Sequence, residues 1–157
     1  MDSRGLRNPL LFTIAIFLAL SMDGKAFSAT PSPIIGTLQK VNGKATVVRQ
    51  DQILPAKAGL EIQANDTLRT GTDGSIGVMF LDDTVLSLGP GSVLVIDEFV
   101  YAPRQGKLSL VFRMIKGTAV YLSGLIEKLA PDSVRFVTPS ASVGFRGTKF
   151  AVKVEER

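Results

Sequence analysis

The 157-residue chain contains no cysteine, no histidine and no tryptophan. Without cysteine it cannot form a disulfide, use a thiol nucleophile or bind a metal through thiolates. Without histidine it lacks the usual general base near neutral pH and the commonest protein ligand for metals. A chain without thiols also cannot mispair in an oxidising compartment, so the composition is compatible with export.

The motifs of common enzyme classes are missing as well. The sequence has no Gly-x-Ser-x-Gly elbow, phosphate-binding loop, dinucleotide fingerprint or zinc motif. Adjacent acids occur at Asp82 with Asp83 and at Asp97 with Glu98. Neighbouring residues on a strand point to opposite faces, which excludes the second pair as partners in hydrolysis, and the first pair is typical of a turn. The Asp-rich turns also lack the dense alternating acids of a calcium loop. We therefore expect a non-catalytic protein with no cofactor and no metal.

The formal net charge is +4, and the basic residues are scattered along the chain. Proteins that bind nucleic acids usually concentrate basic residues on one face or helix, with aromatic residues that stack on bases. The sequence shows no such clustering, so we expect no nucleic-acid partner.

The first 28 residues have the three parts of a secretory signal peptide. Arg4 and Arg7 supply the positive charge ahead of an apolar run at residues 10–20. Small residues within 26–28 then favour cleavage before Ala29. A membrane-spanning helix needs about twenty apolar residues, roughly twice this run, so an uncleaved anchor is the less favoured alternative. We expect a periplasmic or otherwise secreted protein with no membrane span after cleavage.

Residues 29–33 are predicted to form a short linker and residues 34–157 one domain. Segments rich in Val, Ile, Leu and Thr alternate with Gly- and Asp-containing turns, which predicts an all-β fold of about ten short strands. A compact sandwich or roll and a short solenoid-like array are both compatible with this pattern. One short helix is expected near residues 124–129, where apolar residues recur at helical spacing ahead of Pro131.

Three turn signals predict specific strand pairings. The Asn-Gly step at residue 42 is typical of a two-residue hairpin, because a type I′ turn needs positive φ at both central positions. The Asp-Asp step at residue 82 predicts a second hairpin, and the Lys-Gly step at residue 116 is interpreted as a corner that pairs the strands on either side. Residues 108–115 are apolar enough to pair with a partner's strand if they lie at a sheet edge.

The segment 138–150 is the most informative part of the chain. A Thr-Pro step leads there into an Arg-Gly-Thr sequence and a last strand, and its motif residues are Thr138, Pro139, Gly144, Arg146, Gly147, Thr148 and Phe150. Upstream, residues 59–62, 66–71 and 80–84 carry the sequences Gly-Leu-Glu-Ile, Asp-Thr-Leu-Arg-Thr-Gly and Phe-Leu-Asp-Asp-Thr. Together these segments resemble the FecR domain family, and the resemblance covers residues 34–154.

The resemblance implies an exported binding or signalling module. Members of the family include membrane-anchored regulators of iron uptake, whose cytoplasmic segment controls a sigma factor. Only residues 1–9 precede the hydrophobic run here, so a free-standing exported FecR domain is the closer match. The expected function is binding of another envelope protein, through an edge strand or a loop face, in signalling or envelope assembly. A glycan- or peptidoglycan-binding module is the alternative, and an enzyme is not favoured.

Arg146 is the polar residue of greatest interest in the motif. In an extended strand it would share a face with Thr148 and Phe150, and Phe150 is expected to be buried. A partly buried Arg needs a partner, because an unpaired buried charge is costly, and Asp66 and Asp83 are the candidates. We expect the pair to close the fold, with a carboxylate- or partner-binding role for Arg146 as the alternative.

Tyr101 is the candidate contact residue of the domain. It stands close to Pro103 at the edge of a predicted loop, whereas the other aromatic residues are expected in the core. A glycan-binding module would use this ring together with polar loops. Gly144 and Gly147 are expected to let the backbone of the last strand approach its neighbours closely.

Overall fold

The structure, a computed structural model, describes residues 32–144 and 146–155. The predicted signal peptide and its cleavage site lie outside the described residues. Within those residues the chain forms twelve strands and one short α-helix, which confirms the all-β class. No helix of this part has the length and the hydropathy that crossing a membrane requires.

The strands are mostly short, as expected from the frequent turns. The first six are β1 (Ile34–Asn42), β2 (Ala45–Arg49), β3 (Gln52–Pro55), β4 (Glu61–Gln63), β5 (Thr67–Thr70) and β6 (Ser75–Phe80). The next three are β7 (Val85–Leu88), β8 (Val93–Ala102) and the long β9 (Lys107–Leu122). The helix α1 (Leu125–Leu129) lies within the predicted segment, and β10 (Val134–Val137), β11 (Ser142–Gly144) and β12 (Lys149–Val154) follow it.

These strands form two layers that share β9. The front layer has the order β4-β1-β6-β7-β9-β12, and the back layer has the order β3-β2-β5-β8-β9-β10-β11. The first part of β9 lies between β8 and β10, and its last part lies between β7 and β12. Neighbouring strands run antiparallel except for β9 and β10, which are parallel.

The corner predicted at residue 116 is wrong, because β9 continues through it as one strand of 16 residues. Gly117 has a φ of +94°, and a Cβ at this position would overlap Ser92. The buried Ser92 hydroxyl accepts a hydrogen bond from the N–H of Thr118 at 3.0 Å. The glycine therefore lets the strand pass closely over Ser92 and enter the other layer without reversing.

The hairpin predicted at residue 42 is also wrong. β1 pairs with β4 and β6, whereas β2 pairs with β3 and β5. Gly43 does have a positive φ of +60°, but the turn carries the chain from the front layer to the back layer. The hairpin predicted at residue 82 is confirmed, since β6 and β7 are antiparallel neighbours.

The core lies between the two layers. The Phe80 ring of the front layer lies 5.7 Å from Phe99 and 5.5 Å from Phe112 of the back layer, measured between ring centroids. Near the C-terminus, Phe136 of β10 contacts Phe150 of β12 at 5.4 Å. Aliphatic side chains with no exposed surface fill the remaining space, among them Leu38, Val47, Ile62, Leu68, Val78, Leu86, Leu94 and Ile96.

Candidate protein-interaction site

The Thr-Pro step of the closing motif forms the turn between β10 and β11. The Thr138 N–H donates to the Ala141 carbonyl at 2.7 Å, and the Ala141 N–H donates to the Thr138 hydroxyl oxygen at 3.1 Å. Pro139 disfavours a helical conformation at Thr138, which keeps the end of β10 extended. This part of the motif is therefore built into the architecture of the back layer.

Arg146 lies ahead of β12 rather than within it. Its guanidinium contacts the two carboxylate oxygens of Asp132 at 3.0 and 3.2 Å. The side chains are 74% and 84% exposed, so the pair lies at the surface. The expected burial of Arg146 is wrong, because β12 begins only at Lys149 and the alternation of a strand does not extend back to residue 146. The close backbone approach expected at Gly144 and Gly147 is also wrong, because a Cβ at either position would meet no atom of the described residues within 4 Å.

The structure places both expected partners of Arg146 elsewhere. Asp66 is buried and accepts two hydrogen bonds from the Arg49 guanidinium, at 2.8 and 2.7 Å, and one from the Gln63 N–H at 2.8 Å. Asp66 also raises the pKa of Arg49, chiefly through these hydrogen bonds. Asp83 lies exposed in the turn between β6 and β7, with a φ of +64°. Asp66 therefore pairs with Arg49, and this partly buried ion pair links the neighbouring strands β2 and β5.

Asp82 anchors α1 to the turn between β6 and β7. Its carboxylate accepts hydrogen bonds from the Thr84 N–H and hydroxyl, at 3.2 and 2.8 Å, and from the Ile126 N–H at 3.2 Å. Its carbonyl accepts from the Leu125 N–H at 2.6 Å. A carboxylate at the first turn of a helix satisfies N–H groups that have no partner within the helix. Gly124 permits this approach, since a Cβ there would overlap the backbone of Asp82 and Thr84.

Glu127 anchors the Arg-Gly-Thr segment to the same helix. This buried side chain accepts a hydrogen bond from the Gly147 N–H at 2.7 Å. Sequence reasoning missed both anchors. The Asp-x-Thr pattern at residues 82–84 was a usable signal for the first, because Asp bonds to the backbone two residues ahead in an Asx turn. Glu127 has no comparable signal.

The hydroxyl of Tyr121 belongs to this buried polar cluster. Burial raises the pKa of Tyr121, and the Glu127 carboxylate raises it further. Tyr121 and Asp82 have no exposed surface. Because the cluster is closed to solvent and its carboxylates bond to the backbone, it holds α1 and the closing segment in place.

Half-exposed apolar side chains form a belt on the outer face of the front layer. Met79 lies opposite Val85, and Val85 lies opposite Leu122 on the next strand. Val120 and Ala151 form a second row beside the first. Opposite residues on neighbouring strands share a face, so these five side chains lie side by side and define the apolar belt. Met79 is 42% exposed and Leu122 is 40% exposed, well above the values of the core.

Basic residues border the apolar belt. Lys149 lies opposite Leu122 at one end, and Lys40 lies opposite Gly77 at the other. A shallow groove of about 360 Å³ runs past Gly77 and Ser87, where small side chains leave the sheet surface uncovered. A basic rim around a partly apolar face suits a protein surface better than a small polar ligand.

A family model described as FecR protein matches residues 66–157. The chain belongs to the FecR family. The match includes the segments around Asp82 and Arg146, while residues 59–62 lie ahead of it. FecR is a non-enzymatic regulatory family, so membership indicates a module related to signalling or regulation. No curated protein and no solved structure shows a significant match to the chain.

Tyr101 of this FecR domain lies on β8, opposite Leu108 of β9. It is half-buried and packs against the core. Tyr101 thus belongs to a paired strand rather than to a free loop. Its role as a contact residue stays a prediction.

The strand predicted as a possible edge lies in the interior of the FecR domain. Residues 108–115 belong to β9, which has β8 and β10 as neighbours along this part. Among the described strands, those with a single neighbour are β3, β4, β11 and β12. Of these, β12 contributes Ala151 to the apolar belt.

Proposed function

We propose that this chain is a non-catalytic, exported FecR module that binds another envelope protein in signalling or envelope assembly. Membership of a regulatory family supports the signalling context. The residues described in the structure add a surface that is suited to a protein partner.

The apolar belt is the observation that carries the proposal. Large contiguous apolar patches with a polar rim mark contacts with another protein or a membrane, and the belt joins exposed apolar side chains of neighbouring strands into one patch. Met79, Val85 and Leu122 come from three neighbouring strands, so the patch is rigid before it meets a partner. A preformed surface loses little conformational entropy on binding, which favours a protein interface at this face.

The export part of the proposal is supported by the amino-acid sequence alone. The predicted organisation is a signal peptide at residues 1–28, a linker at 29–33 and the domain at 34–157. N-terminal sequencing of the protein recovered from a periplasmic or culture fraction tests this part. We expect a mature chain that begins at Ala29, and recovery of the intact chain in the cytosol would contradict it.

Site-specific crosslinking in living cells tests the binding role. A photoreactive amino acid at Met79 or Leu122 should give a discrete adduct with one envelope protein. The matched control is Ile53, which is 68% exposed and lies on β3 of the back layer. Equal adducts from Ile53, or no adduct from the belt, would refute the assignment of the surface.

Substitution of the apolar belt completes the experiment. With the photoreactive amino acid at Leu122, Met79→Asp places a charge in the belt, and with the photoreactive amino acid at Met79, Leu122→Asp does so. Either substitution should abolish the adduct, while Ile53→Asp leaves it intact. Retention of the purified protein on isolated cell wall, with the belt variants retained equally well, would instead favour the glycan-binding alternative.

A further inference from the structure

The outer edge of β12 is available for strand pairing. The strand has six residues, and among the described strands it pairs with β9 alone. One row of its backbone N–H and C=O groups therefore faces away from the sheet. Such a row is a template on which an extended segment of another chain can add as a further strand.

The inward side chains of β12 are incompletely covered. Phe150, Val152 and Val154 point towards the core and are only partly buried, whereas Leu86 and Leu88 of the interior strand β7 are fully buried. The difference arises because no described strand flanks β12 on its outer side. An added strand with apolar side chains at every second position would bury these three residues.

A cleft beside β12 provides room for those apolar side chains. It has a volume of about 640 Å³ and lies between the end of β12 and the turn at Thr138 and Pro139. Val143, Val152 and Ile115 supply apolar parts of its wall. The cleft opens where β10 and β12, which pair with different parts of β9, both end.

The surroundings of β12 are predominantly basic. Lys149 and Lys153 lie on its outward face, and Lys128 and Arg146 lie near its first residue. The described acidic neighbours are Asp132, which pairs with Arg146, Glu155, which pairs with Lys153 at 2.9 Å, and Glu127, which is buried and accepts the Gly147 N–H. Both pairs are exposed and therefore weak, so incoming carboxylates can exchange with them. The edge is complementary to an acidic segment.

The same lysines disfavour pairing of β12 with a second copy of itself. Antiparallel pairing centred on Ala151 would place Lys149 of one copy opposite Lys153 of the other. Like charges directly opposite each other destabilise a strand pair, and lysines on edge strands are a common protection against self-association. An acidic strand would turn this repulsion into attraction.

We infer that β12 receives an extended segment of the partner protein in which carboxylates alternate with apolar residues, added as an antiparallel strand. The apolar residues cover Phe150, Val152 and Val154, and the carboxylates face Lys149 and Lys153. This inference rests on the proposed function and specifies the partner's chemistry and its mode of binding.

A synthetic peptide of alternating valine and glutamate, with capped ends, is the probe. We expect it to slow hydrogen exchange at those backbone amides of residues 149–154 that point away from β9, while a peptide with lysine in place of glutamate has no effect. The double variant Lys149→Glu/Lys153→Glu should lower the affinity for the acidic peptide by roughly tenfold or more. The same variant should bind the lysine peptide instead. Binding of the lysine peptide also shows that the variant is folded.

A matched charge reversal provides the control. Lys57 and Lys107 are exposed and lie away from β12, so Lys57→Glu/Lys107→Glu should leave the affinity for the acidic peptide unchanged. Equal binding of both peptides, unchanged exchange in β12, or dimers that form through β12 would each overturn the inference. If the belt crosslink persists in the Lys149→Glu/Lys153→Glu variant, the proposed function stands and the strand-addition mode is wrong.

Discussion

Removing the charge of Asp66 should destabilise the domain far more than removing the charge of Asp97. Both carboxylates bind an arginine through two hydrogen bonds, Asp66 with Arg49 and Asp97 with Arg113. The pairs differ in burial. Asp66 and Arg49 are 1% and 23% exposed, whereas Asp97 and Arg113 are 30% and 49% exposed. The comparison therefore sets a buried, further bonded ion pair against an exposed pair with the same two-bond contact between the side chains.

The magnitude follows from what each substitution leaves behind. Asp66→Asn leaves a partly buried guanidinium without its counter-charge and weakens the acceptor of the Gln63 N–H. Breaking a buried pair costs roughly 3–5 kcal/mol, and we expect about 3 kcal/mol because Arg49 keeps some contact with water and its bond to the Glu61 carbonyl. Asp97→Asn should cost less than about 1 kcal/mol, as is usual for surface pairs.

Urea unfolding of both variants and of the wild-type protein measures the difference. Thermal unfolding gives a second readout, in which Asp66→Asn should lower the Tm by about 12 °C, at roughly 4 °C for each kcal/mol. If the two variants lose the same free energy of unfolding, burial does not govern these pairs and the structural role given to Asp66 is wrong.

Three further outcomes follow from the buried polar cluster. Gly124→Ala should lower the free energy of unfolding by about 2 kcal/mol through steric overlap, while Gly144→Ala, where no neighbouring atom lies within 4 Å, should be nearly neutral in urea unfolding. The folded pKa of Tyr121 is raised above its ordinary value of 10, so the stability from the protonated phenol is complete below that pH and is lost as the pH rises. The free energy of unfolding, measured between about pH 9 and pH 11, should show this loss in the wild type but not in Tyr121→Phe. Identical slopes of that free energy against pH in the two proteins would contradict the assignment. Glu127→Ala should speed hydrogen exchange at Gly147 roughly tenfold through loss of a buried acceptor, and unchanged exchange there would exclude the anchor.

The sequence predicted the fold class and several local elements. Strand-forming residues between frequent turns predicted an all-β domain, and the Asp-Asp step at residue 82 predicted the hairpin of β6 and β7. It did not predict which strands pair across longer distances. The glycines at residues 43 and 117 both have positive φ, but one joins strands of different layers and the other lies within β9. A local conformation specifies how the backbone bends, whereas pairing depends on contacts that are remote in the sequence.

The site was predictable in part. The closing motif identified the family, and Phe150 packs inward as expected. The partner of Arg146 was not predictable, because assigning it required knowing where β12 begins. The anchors at Asp82 and Glu127 bond to backbone N–H groups, so no residue of opposite charge in the sequence marks them. The apolar belt depends on the register between β6, β7 and β9, which the sequence alone does not supply.

The long strand β9 has a consequence for how the domain unfolds. Its first part is an interior strand of the back layer and its last part is an interior strand of the front layer, so both layers depend on one unbroken stretch of backbone. Neither layer can unfold alone without separating β9 from its neighbours in the other layer. The domain should accordingly lose its structure in one concerted transition, and a protease cut within β9 should dismantle both layers together.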